Sequence, residues 1–69
     1  MRYVHFDEVM NQVKILTYES TEHGVVVGSV SEEDFAKTST KFLVQALMIR
    51  ANLHHHSGVD IVVDDTPPF

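Results

Sequence analysis

The sequence contains no cysteine and no tryptophan, only two prolines and three glycines, and five lysine or arginine residues against ten aspartate or glutamate. Without cysteine there is no disulfide to brace the fold, no thiolate to hold a metal and no sulfur nucleophile. Gly24, Gly28 and Gly58 are too scattered to build a phosphate-cradling loop. The basic residues Arg2, Lys14, Lys37, Lys41 and Arg50 form no cluster, and the formal net charge is -5, which argues against a nucleic-acid phosphate footprint. The longest apolar run, Phe42 to Ile49, is interrupted by Gln45 and is too short to span a bilayer, and no basic-then-apolar leader is present. These features lead us to expect a soluble, cytoplasmic protein that binds neither nucleic acid nor membrane.

What remains must hold together by burial. Sixty-nine residues make one domain, and at that size folding removes only about 60% of the unfolded chain's surface from water. Oligomerisation is the common remedy when disulfides and metals are missing. The expected organisation is a single domain over 1–63 with an extended tail over 64–69, where Pro67 and Pro68 exclude regular structure.

The stretch Ser31 to Leu53 reads as one long helix. Ser31 is a favoured N-cap, Glu32, Glu33 and Asp34 suit the positive end of the macrodipole, and His54 to His56 followed by Gly58 suit the other end. At 100° per residue, Phe35, Phe42, Ala46, Ile49 and Leu53 form one apolar stripe, widened by Leu43 and Leu47, and this is the face expected to be buried. Val44, Met48 and Ala51 make a second apolar face nearly opposite. A helix apolar on two sides needs two covers, which a chain of this length supplies most simply with its own sheet and a second copy of itself. A straight helix of this length would also measure roughly 34 Å, against about 28 Å for the compact domain. A break at Thr38, Ser39 and Thr40, all weak helix formers, is the alternative.

Elsewhere, Met1 to Phe6 is a possible short strand, Asp7 to Gln12 a short helix, and Val13 to Glu19 and Val25 to Val30 two strands joined as a hairpin. Gly28 within the second suggests a bulge or a close backbone approach. Val59 to Val63 reads as a returning strand. The fold class is α+β in two layers: an antiparallel hairpin and a returning strand packed on one long helix.

No complete catalytic set stands out. His5 with Asp7, and His23 with Glu19 or Glu22, are histidine-carboxylate neighbours suited to proton transfer, but no nucleophile accompanies them. His54 and His56, with Asp60 or Asp64, could ligate a divalent metal, although consecutive histidines on a helix diverge and none has a partner four residues away. Arg50 lies between Leu43, Ala46 and Leu53 and would need a carboxylate such as Asp60 or Asp64 if covered. The candidate interface residues are therefore Phe42, Leu43, Leu47, Met48, Arg50 and the terminal Phe69. The leading expectation is a non-enzymatic, acidic homo-oligomer that binds and regulates another protein without a cofactor. The other is a small oligomeric metal-binding protein or enzyme built on His54, His56 and Asp60. Protonating all five histidines would take the formal charge from -5 to zero. Turbidity measured from about pH 7.5 down to the isoelectric point of about 5.3 should therefore rise, and a flat profile would contradict that charge argument.

Overall fold

The computed structural model describes residues 1–20, 22–53 and 58–65. Its sheet is assembled around the first strand, β1 (Arg2–Asp7), which pairs antiparallel with both β2 (Gln12–Leu16) and β3 (Val25–Val30). A fourth strand, β4 (Asp60–Val63), lies parallel to β2, giving the order β3-β1-β2-β4. Three strands thus run one way and β1 the other. Two helices, α1 (Glu32–Lys37) and α2 (Thr40–Arg50), pack on one face, so the architecture is α+β in two layers as expected.

The connections correct the expected pairing. The segments from Val13 and from Val25 do hold strands, the first ending at Leu16 and not Glu19, but these do not form a hairpin together, because β1 sits between them. The hairpin joins β1 to β2, and the segment read as a short helix, Asp7 to Gln12, is its turn. Asp7 Oδ1 accepts hydrogen bonds from the Val9 and Met10 amides at 3.0 and 3.2 Å, and Asn11 takes a left-handed φ of 50°. An Asx turn followed by an Asn in that region is a compact strand reversal, which outweighs the helical spacing of Val9 and Met10.

The long helix is also two. Ser31 caps α1 by accepting from the Asp34 amide at 3.1 Å, but Thr38 is extended at φ -111°, ψ 140°, and Ser39 starts a new helix by accepting from the Phe42 amide at 3.4 Å. Hydroxylated side chains that compete for backbone partners explain the break. Nor does α2 reach the histidines. Asn52 at φ 58° and Leu53 close it, their amides bonding Ile49 and Met48 carbonyls, which is a Schellman ending with asparagine in the glycine position.

Alternation along the strands decides the core. Val4 and Phe6 of β1 with Val13 and Ile15 of β2 face the helices and meet Val44, Leu47 and Met48. Each such side chain, fully buried, contributes about 1.5–3 kcal/mol relative to exposure. Gly28 pairs with Val4 on the same face, and a Cβ there would lie 2.8 Å from Leu47, so the close approach expected of this glycine is to α2. A register shift beside it leaves Val27 as the extra residue of a bulge. On the opposite face His5 and Leu16 are each 3% exposed. The link from Leu16 to Val25 has to travel the length of β1, and it covers that face: Glu22 reaches Lys14 at 3.5 Å and Gly24 lies against His5.

The two left-handed glycines differ in surroundings. At Gly24 (φ 112°) a Cβ would sit 2.2 Å from the Phe6 carbonyl oxygen, whereas at Gly58 (φ 96°) it would meet nothing. Gly58→Ala should cost the backbone strain alone, about 1–2 kcal/mol. Gly24→Ala adds a clash with the β1 main chain and should exceed about 2 kcal/mol. Urea midpoints of the two variants check this ranking, and equal losses would refute it.

Candidate functional site

The stripe expected to face the sheet faces water instead. Because Val44, Leu47 and Met48 point inward, Phe42, Ala46 and Ile49 fall on the opposite side of α2, where Phe42 is 65% and Ile49 66% exposed. The burial of Leu47 and Met48 places these two candidate interface residues in the chain's own core, with Leu43 half-buried beside them. Leu53 escapes the outer stripe because the helix has ended before it, and it packs on the core. The result is a short apolar ridge, Phe42 and Ile49 one heptad apart with small Ala46 between them. Such a ridge is the form in which one helix offers anchors to a partner.

Lys41 and Arg50 flank the ridge, one toward each end of α2 and on opposite sides of it. Arg50 is exposed, and neither Asp60 nor Asp64 forms an ion pair with it. Among the described residues, these two cations are the lysine and arginine side chains without an ion pair. Arg2 contacts Glu32 at 3.2 Å and also Asp65, Lys14 contacts Glu22 at 3.5 Å, and Lys37 contacts Glu33 at 2.7 Å.

Arg2 was not singled out by the sequence, yet it joins three parts of the fold. From β1 it binds Glu32 of α1 and Asp65 beyond β4, and its guanidinium lies 4.4 Å from the centre of the Phe35 ring. The Asp65 hydrogen bond, followed by Glu32, holds the guanidinium above its ordinary pKa range, with desolvation acting the other way. The only signal in the sequence was an arginine opening a strand, which says nothing of its partners.

The proton-transfer candidates do not come together. His5 and Asp7 share a face of β1, but Asp7 is engaged with the turn, and both ring nitrogens of His5 are buried with no hydrogen-bond partner among the described residues. His23 is exposed and Glu22 is paired with Lys14. Asp60 is exposed at the start of β4, while His54, His56 and Phe69 lie outside the described residues. Among the described residues no three histidine, aspartate or glutamate side chains are grouped as metal ligands, and no helix is long and apolar enough to cross a membrane. Compared with known proteins, the chain matches no family model, no curated protein and no solved structure.

A buried imidazole with two unsatisfied nitrogens is a cost to folding. His5→Leu, similar in volume, should leave stability unchanged or raise it by up to about 1 kcal/mol. Urea denaturation tests this. A loss greater than about 1 kcal/mol would show that the ring makes a hydrogen bond on which the fold depends.

Proposed function

We propose that this chain is a small, acidic, non-enzymatic protein that assembles with copies of itself and binds and regulates another protein. The Phe42–Ile49 ridge carries the reading: two large apolar side chains held two-thirds exposed on a helix that the sheet fixes from behind.

Self-assembly has a separate surface to use. Strand β3, VVVGSV, is an edge strand with neither charge nor proline, and Val25 and Val26 are exposed on it. Edges of this composition are the ones on which another strand pairs. Its neutrality also lets two copies meet there although each carries -5. Antiparallel pairing of β3 with a second β3 would extend the sheet across a two-fold axis.

Light scattering after size exclusion should give a mass above the 7.8 kDa of one chain. Val26→Lys, which places a charge on the edge, should return the monomer with its circular dichroism intact, and Phe42→Asp should not. A monomer at all concentrations would overturn the self-assembly half of the reading.

A further inference from the structure

The two helices differ in charge at their first turns. In α1 the acidic residues Glu32, Glu33 and Asp34 occupy the first turn and Lys37 the last, the order that the macrodipole favours. In α2 no acidic residue occupies the first turn, and Lys41 stands there instead, near the positive end of the dipole. Arg50 in the last turn complements its end; Lys41 opposes its own. The sequence of α2, TKFLVQALMIR, has no carboxylate at all, in a chain that has ten. Its two cations are also those that have no ion pair among the described residues, and they bracket the exposed ridge.

We infer that the outer face of α2 docks an acidic amphipathic segment of another protein, with Phe42 and Ile49 as apolar anchors and Lys41 and Arg50 as the groups that meet its carboxylates. This rests on the partner-binding half of the proposed function. The two cations stand nine positions apart, about 13 Å along the axis, on opposite flanks of the ridge. A helical partner would meet them with carboxylates on both sides of its own apolar stripe. Face-to-face pairing with the α2 of a second copy does not fit, since it would bring four cations together with no carboxylate from either helix. An anionic lipid surface fits less well than a peptide, because an extended surface would also face the acidic remainder of the chain, whereas a peptide needs to meet α2 alone.

The test titrates the full chain into a fluorescein-labelled helical peptide of about 18 residues, with leucines at i, i+3, i+4 and i+7 and glutamates beside them, followed by anisotropy. Saturable binding is expected, weakened at least about tenfold by Phe42→Asp and by Lys41→Glu, and weakened again in about 0.5 M salt. Lys37→Glu makes the same charge change on α1 and should stay within about twofold of the parent. Lys41→Glu also puts an acid in the first turn, so its melting temperature should hold or rise, separating lost docking from lost folding. Absence of binding up to about 1 mM peptide would overturn the inference. Equal losses from Lys37→Glu and Lys41→Glu would also overturn it, as would binding to phosphatidylserine vesicles in place of the peptide. Light scattering on the same samples separates the two readings. A monomer that binds the peptide keeps the docking site and discards self-assembly, whereas an oligomer that Phe42→Asp dissociates makes the ridge a self-interface and discards the docking site.

Discussion

Three consecutive residues of β1, Val4, His5 and Phe6, are buried, and the remainder of the fold follows from having to cover both sides of that strand. Pairing β1 antiparallel with a strand on each side makes β2 and β3 parallel to each other, so no tight turn can join them. The link must run the length of β1, and in doing so it becomes the cover over His5. The second crossing, from β3 at one edge to β4 at the other, spans the whole sheet and carries α2 over Val4 and Phe6, with Phe35 of α1 packed against the same core. A small chain therefore closes both faces with the segments that its topology obliges it to have.

That second crossing also sets the shape of the helical layer. A straight helix from Ser31 to Leu53 would be roughly 34 Å long, against a longest dimension of 29 Å for the molecule. The break at Thr38 and Ser39 resolves this by letting α1 lie beside Arg2 while α2 crosses the core. Phe35 then sits under the Arg2 guanidinium, and Leu47 reaches the space over Gly28. Arg2 is attached at one end of this arrangement to Glu32 and at the other to Asp65, so the strand, the helix after β3 and the chain after β4 meet at a single side chain.

Much of this was legible in the residues and some could not have been. The existence of strands near Val4, Val13, Val25 and Ile61, the Ser31 cap and the close approach at Gly28 all follow from local chemistry, which acts within a few residues. Strand pairing does not, because adjacency in sequence favours joining Val13–Glu19 to Val25–Val30, and only the cost of leaving β1 uncovered decides otherwise. The phase of α2 was ambiguous for a different reason. Phe42, Ala46 and Ile49 are as apolar a face as Val44, Leu47 and Met48, so periodicity showed two apolar faces, and the expectation that the Phe42–Ile49 side would meet the sheet was wrong. The helix start at Ser39 settles the matter physically, since it rotates α2 independently of α1.

The same break creates the charge pattern on which the site depends. In one continuous helix Lys37 and Lys41 would be like charges four residues apart, mildly repulsive and far from either end. Breaking the helix at Thr38 removes that relation, lets Lys37 finish α1 against Glu33, and leaves Lys41 near the new positive end that begins at Ser39. Neither α2 nor any described carboxylate offsets the cation there, though Glu or Asp at that position would have served the helix better. Arg50 and Phe42 share the condition in milder form, one a cation without an ion pair among the described residues, the other an aromatic ring left in water. Among the described residues no ion pair compensates Lys41 for opposing the α2 dipole, the imbalance that the proposed acidic partner would relieve.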